Sequence, residues 1–170
     1  ISLAGTRRDT DFSDKEIEEQ DIVAKTISNQ LYSFSSKMDS TSTQFMAFGN
    51  LNHLVNEHKM QVDQDFDFDT AIHEIHPSPA IAGYPKVDSI GFIRDYEPLE
   101  RELYAGLVQV QLSEYMQYSF AMIRCARVTK NLISYYAGAG ITEDSDPDSE
   151  WTETLDKIDV LKKVIDKALN

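Results

Sequence analysis

The apolar positions of this 170-residue chain repeat with two different periods. From about Phe12 to Phe34 they recur every three to four residues, which predicts a helix capped by Ser13 or Asp11. Between Thr43 and Val62 the pattern predicts two short strands, broken at Gly49-Asn50. Asp67–Ile75 reads as a short helix. It ends in "HPSPAIAGYPK", a loop punctuated by proline and glycine. Val87–Tyr96 reads as a second short helix. Three strands are expected next: Leu103–Leu112, Gln117–Val128 and Leu132–Ala137. Tight turns at Ser113-Glu114 and Lys130-Asn131 would join them into an antiparallel meander. Asp146-Pro147 opens a last helix that runs nearly to Asn170, with proline at its first position. Strands in hairpins and helices in this mixed order predict an α+β class, with antiparallel sheets flanked by helices and no linker dividing the chain.

Some charged residues fall where this pattern expects apolar ones. At 100° per residue, Trp151, Leu155, Ile158, Leu161, Ile165 and Ala168 form the apolar face of the last helix. Glu150, Glu153 and Lys157 form a stripe about 60° wide that borders this face. Taken alone, the stripe is best explained as a solvated acidic first turn complementing the helix dipole. The first helix repeats the spacing. Glu16 and Glu19 lie on the side of Val23, Ile27 and Phe34, while Glu18 points elsewhere. Carboxylates on an apolar stripe are costly unless paired or metal-bound. Two such pairs could form an acidic cleft whose hard oxygens suit Mg²⁺, or they are two unrelated solvated pairs.

Strand alternation puts Arg124 with Tyr118, Phe120, Met122 and Ala126 on an apolar face. A buried guanidinium needs an anion. The partner is either an internal Asp or Glu, or a ligand carboxylate gripped by two hydrogen bonds. Gly138 and Gly140 in "YYAGAGI" free the backbone between a strand and an acidic helix start, where exposed N–H groups could hold an anion. Asp144, Asp146 and Asp148 imitate the start of a calcium loop. Ser149 and Leu155 stand where that loop needs Gly and Glu, so the motif is rejected. His53, His58, His73 and His76 lack zinc spacing.

Sixteen basic against 29 acidic residues give a net charge of −13. That disfavours nucleic acid and anionic membranes. It also means that an anionic ligand needs local positive charge or a metal. One cysteine, Cys125, excludes an internal disulfide and fits a reduced, cytoplasmic setting. No apolar run approaches the ~20 residues of a membrane span. The opening "ISLAGTRRDT" is not a signal peptide, and its lack of an initiator Met reads as a processing boundary.

Taken together, the motifs carry a resemblance. "LAGTR" (Leu3–Arg7), "KEIEEQ" (Lys15–Gln20), "NHL" (Asn52–Leu54), "HPSPAIAGYPK" (His76–Lys86), "ERELYAG" (Glu100–Gly106), "AMIRCA" (Ala121–Ala126), "YAGAGI" (Tyr136–Ile141) and "SDPDSEWTETLDK" (Ser145–Lys157) occur in that order. In this the chain resembles the chorismate-utilising enzymes: isochorismate, salicylate, anthranilate and aminodeoxychorismate synthases. The resemblance implies an α/β/β/α sandwich of antiparallel sheets. It also implies that Glu16, Glu19, Glu150 and Glu153 ligate Mg²⁺, directly or through water, and that Mg²⁺ bridges to the ring carboxylate of chorismate. Arg124 and Tyr104 would hold the enolpyruvyl carboxylate, with backbone N–H help near Gly138. Gly5, Thr6, His53, Ile123, Gly140 and Lys157 would line the pocket. Ala80, in "HPSPAIAGYP", stands where salicylate and anthranilate synthases tend to have Thr, so isochorismate synthase is favoured, in menaquinone or siderophore biosynthesis.

Members of the family are more than twice this length. Their base lysine and acid glutamate precede "LAGT" and have no counterpart here. Residues 1–170 are therefore expected to be the C-terminal part of one chorismate-binding domain. The expectation is that this part holds the metal ligands and most carboxylate contacts and is inactive alone. It is expected to associate with the missing N-terminal part or with another copy of the chain. A non-catalytic ligand-binding module is the alternative from another class.

Overall fold

The computed structural model describes residues 1–170 except Asp9, Ser36, Asn50, Tyr115 and Asn170, and except the side chain of Leu169. It consists of antiparallel sheets and helices, as an α+β chain should. The chain divides into two compact units, Ile1–Pro98 and Leu99–Asn170.

In the first unit, β1 (Ser2–Arg7), β3 (Gln44–Phe48) and β4 (Leu51–Asn56) form an antiparallel sheet in the order β1-β4-β3. The N-terminal strand β1 was not expected from the pattern. Gly5 explains why: it sits at a register shift between Ala4 and Thr6 with φ +65°. Left-handed backbone interrupts the alternation by which a strand is read. The β3–β4 turn passes through Gly49, also left-handed. Its expected partner in that turn, Asn50, lies outside the described residues. A third strand in the Thr43–Val62 region, β5 (His58–Met60), pairs with β2 (Met38–Ser40).

Helix α1 spans Asp14–Tyr32, inside the expected bounds. Val23, Ile27 and Leu31, spaced by four, form its buried stripe and pack against Ala4, Met38, Met60 and Ile75. Gln20 lies on the same stripe and is completely buried. Its amide accepts from Ala4 N–H at 2.6 Å and donates to Asn56 Oδ1 at 2.6 Å, so one side chain ties α1 to β1 and β4. Helix α2 (Phe68–Ile75) is capped by Asp67, which accepts from the Thr70 N–H. The "HPSPAIAGYPK" segment is not all loop: Pro79–Ala82 forms a single-turn helix, α3, started by proline at its first position. Helix α4 covers Lys86–Tyr96.

In the second unit the expected three-strand meander is replaced by two separate hairpins. β6 (Leu107–Ser113) pairs with β7 (Met116–Ala121), and β8 (Cys125–Val128) pairs with β9 (Ile133–Tyr136). The single strand expected over Gln117–Val128 is broken at Met122–Arg124. Arg124 has φ +48°, a backbone that cannot continue a strand. It therefore does not share a strand face with Tyr118, Phe120, Met122 and Ala126.

Helix α5 runs Pro147–Leu169. Its inward face differs from the expected one. Trp151 is 62% exposed and Leu155 46%, whereas Glu150 and Val160 are buried. Glu153, Thr154, Lys157, Ile158 and Leu161 are half-buried. The inward face is turned by roughly 60° from the apolar one, which brings the charged stripe to its centre. Pairing within the stripe offsets the cost of this burial, as the contacts of Lys157 show below. Among the described residues no helix is long and apolar enough to cross a membrane.

Candidate functional site

Two groups of the candidate residues assemble, one in each unit. In the first unit, strand β1 and helix α1 meet at Gly5. A Cβ there would stand 2.9 Å from the Glu16 carbonyl oxygen, so glycine is required by close approach as well as by its backbone. Thr6 Oγ1 hydrogen-bonds His53 Nδ1 at 3.0 Å across the β1–β4 pair, and both residues are buried. Glu16 is the third residue of α1. Its carboxylate accepts from the Ser13 N–H at 2.8 Å and the Ser13 hydroxyl at 2.5 Å, the reach-back half of a capping box. Arg7 approaches the same oxygen at 3.7 Å. Glu19 pairs with Lys15 at 3.7 Å, one turn back. Both glutamates keep little exposure, and each is neutralised by a neighbouring cation. Ala80 is exposed on α3.

In the second unit, Lys157 is the hub. Its Nζ donates to the Gly138 carbonyl at 2.9 Å and pairs with Glu153 at 2.6 Å, with only 12% of the side chain exposed. A nearly buried ammonium is tolerable only with such partners. Gly138 is also close to Tyr104: a Cβ at Gly138 would lie 2.8 Å from the phenol oxygen. Tyr104 stacks on Tyr136, with ring centroids 6.3 Å apart, and the Arg101 guanidinium lies 5.8 Å from its centroid. Arg124 is near enough to Glu153 and Tyr104 to interact electrostatically with both. Burial pulls its pKa below the usual arginine value, and Glu153 and Tyr104 work against that shift. Glu150 is buried at the start of α5 and faces an open cleft of about 320 Å³, also lined by Ala139, Ile141, Pro147 and Trp151. Ile123 and Gly140 are exposed at the edges of this region.

Backbone conformation marks the same neighbourhood. Among the described residues, the non-glycine residues with positive φ are Glu102, Ala105 and Arg124. All three flank or belong to the Tyr104–Arg124 pair. Left-handed backbone at such residues is uphill and tends to collect where function fixes a geometry.

The carboxylates supply hard oxygens in pairs, Glu16 with Glu19 on α1 and Glu150 with Glu153 on α5, which is the donor chemistry that Mg²⁺ takes. Within either unit the donors number two. Among the described residues no group of three or more His, Cys, Asp or Glu gathers as a metal-holding set.

Three contributors escaped the sequence reading. Gln20 had a signal, a polar side chain on the apolar stripe of α1. Glu102 and Tyr136 fall inside the motifs at Glu100–Gly106 and Tyr136–Ile141, but spacing does not reveal that the Glu102 turn brings its carboxylate to Arg127 and to Tyr136 on β9.

Comparison with known proteins identifies the family. The family model described as chorismate binding enzyme matches residues 10–166. The isochorismate synthase EntC of Escherichia coli K12 is 31% identical over 153 residues, covering 89% of this chain and 39% of the relative. The isochorismate synthase MenF of the same organism is 30% identical over 155 residues, covering 89% and 35%. Anthranilate synthase component 1 of Bacillus caldotenax is 31% identical over 125 residues, covering 74% and 25%. A crystal structure described as the 2,3-dihydroxybenzoate-specific isochorismate synthase DhbC of Bacillus anthracis superposes with TM-score 0.83 at 24% identity, over 99% of this chain and 48% of that one. The chain belongs to the chorismate-binding enzyme family. It spans about two fifths of the length of the isochorismate synthases it matches.

Proposed function

We propose that this chain is the C-terminal part of an isochorismate synthase and forms the carboxylate-holding side of its chorismate site. The observation that carries the reading is the cluster around Lys157. A lysine, an arginine, a phenol and a glycine carbonyl converge beside a glutamate, in a chain whose net charge is −13. Such local positive charge is what a dianionic substrate needs from an acidic protein.

In this reading the planar guanidinium of Arg124 takes the enolpyruvyl carboxylate through two parallel hydrogen bonds. The Tyr104 hydroxyl donates to the same carboxylate, with a backbone N–H near Gly138. Lys157 adds charge to the floor of the pocket. Ile123 and Gly140 border this cluster, and Gly5, Thr6, His53 and Ala80 are further positions that would line the pocket by the family resemblance. The carboxylate pairs Glu16 with Glu19 and Glu150 with Glu153 are the residues that would hold Mg²⁺, directly or through water. When bound, the ion supplies a hard positive charge that orients the ring carboxylate. The reaction adds water at C2 of the ring and releases the C4 hydroxyl, so chorismate and isochorismate have one composition. The proton-transfer base and acid belong to the part of the enzyme that precedes "LAGT", so residues 1–170 alone do not turn over substrate. The setting is the cytoplasm, and the pathway leads to menaquinone or to a siderophore.

A second reading within the family is an anthranilate synthase component, favoured by the comparable identity of the Bacillus caldotenax protein. One experiment separates the two. The protein encoded by the complete reading frame is incubated with chorismate, with and without Mg²⁺ and ammonium, and products are identified by mass spectrometry. Mg²⁺-dependent isochorismate is the expected product. Ammonium-dependent anthranilate would overturn the choice of enzyme. No product from the folded protein would overturn catalysis altogether.

A further inference from the structure

Tyr104 is held by a bracket that no substrate contact requires. It lies in the turn Glu102–Ala105, whose Glu102 and Ala105 have φ of +51° and +65°. Backbone hydrogen bonds close the turn: Tyr104 N–H donates to Arg101 at 2.8 Å, and Ala105 N–H to Met122 at 2.8 Å. The Glu102 side chain then reaches away from the turn onto the β8–β9 hairpin. Its two oxygens accept from Arg127 Nη1 at 2.7 and 2.8 Å, and one also accepts from the Tyr136 hydroxyl at 3.2 Å. Tyr136 closes the circuit, because its ring stacks on Tyr104.

Stability does not account for this arrangement. Arg127 and Glu102 are 52% and 41% exposed, and exposed ion pairs contribute little. A glutamate at φ +51° is less comfortable than a glycine would be there. What glutamate supplies, and glycine cannot, is the carboxylate that fixes the turn against Arg127 and Tyr136.

We propose that Glu102 is a positioning residue: through Arg127 and Tyr136 it sets the Tyr104 phenol over Gly138 and so governs affinity for the substrate carboxylate. This rests on the chorismate reading above. The geometry makes stability and affinity respond in opposite directions. Glu102→Gly relieves the left-handed backbone while releasing the bracket, so thermal stability is held or raised as binding falls. A purely structural glutamate would move both the same way.

The test uses the protein from the complete reading frame with chorismate as ligand. For Glu102→Gly, KM rises about three- to tenfold while kcat stays within about twofold, the pattern of lost uniform binding. Tyr136→Phe keeps the ring stack, loses the hydroxyl, and gives a smaller rise. An unchanged KM in Glu102→Gly, or a KM rise accompanied by a fall in Tm, overturns the proposal. A crystal structure of Glu102→Gly without ligand provides a second readout. The Tyr104 ring is expected to leave its stack on Tyr136, and a ring that stays in place overturns the positioning role whatever the protein binds. A wild-type protein that neither binds nor converts chorismate overturns the functional reading instead, and the ligand-free structure still decides the role of Glu102.

Discussion

Removing the Gln20 side chain tests how α1 is fixed to its sheet, and with it the site of Glu16 and Glu19. The residue is fully buried and makes two short hydrogen bonds, to Ala4 N–H and to Asn56 Oδ1. Its contacts to the Ser2 carbonyl and hydroxyl are long, 3.4 Å each, and count for less. Gln20→Met keeps the length of the side chain and removes its polar atoms. Each buried partner left without its bond costs about 1–3 kcal/mol. Asn56 Oδ1 keeps a weak donor in Thr43 at 3.4 Å, which places its loss at the low end. Immobilising a glutamine costs up to about 2 kcal/mol of rotamer freedom, but methionine has a similar cost, so that contribution nearly cancels. The expected destabilisation is about 2–4 kcal/mol, a large share of the ~5–15 kcal/mol by which a domain is usually stable. Guanidinium denaturation followed by far-ultraviolet circular dichroism should show the midpoint falling at constant slope. Lys25→Ala, which breaks an exposed pair with Asp21, serves as the control and should cost less than about 0.5 kcal/mol. A loss below about 1 kcal/mol for Gln20→Met would refute the claim that this amide pins the helix.

Other consequences can be checked separately. Gly138→Ala drives a methyl against the Tyr104 hydroxyl and should lower Tm. Adding Tyr104→Phe leaves the nearest ring carbon at 3.8 Å, an ordinary contact, so the double variant should recover most of the loss by differential scanning fluorimetry. Lys157→Met removes the donor to Gly138 and the partner of Glu153. Chorismate affinity should fall at least about tenfold by calorimetry, about 1.4 kcal/mol, with helix content unchanged. His58 hydrogen-bonds Ser2, Ser28 and Ser40, and burial holds its pKa below 6.5. The unfolded chain then binds the proton first. Stability should fall as pH drops below 6.5 and level off under the folded value, and His58→Gln should flatten that slope in denaturation measured at several pH values.

The helices were largely legible because the apolar residues of α1, α2 and α4 repeat at the helical period. Proline also marked the end of α2 and the start of α5. What failed was inference across non-standard backbone. Strand β1 hides its period behind Gly5, and alternation was carried through Met122–Arg124, where the chain turns left-handed. The face of α5 was missed for a different reason. Hydrophobicity alone chose Trp151 and Leu155 for the interior, but Lys157 satisfied by Glu153 and Gly138 can occupy that position instead. The i,i+4 spacing of Glu153 and Lys157 was legible, but the Gly138 carbonyl that completes the pairing lies on another element and was not. The grouping of Tyr104, Arg124, Gly138 and Lys157 was accessible from motif resemblance, whereas the Glu102 bracket that shapes it was not.

The outward turn of Trp151 has an optical consequence. It is the only tryptophan in the chain, it is 62% exposed, and it adjoins the buried Glu150 on the rim of one cleft. Excitation at the red edge of the protein absorption band therefore addresses a single indole next to the carboxylate pair of α5. Its emission should start long in wavelength, as for a water-facing ring. Any event that dries the cleft or changes the charge on Glu150 should shift or quench it. The chain thus carries its own reporter, and titration of ions or ligands at this position can be followed in solution without a label.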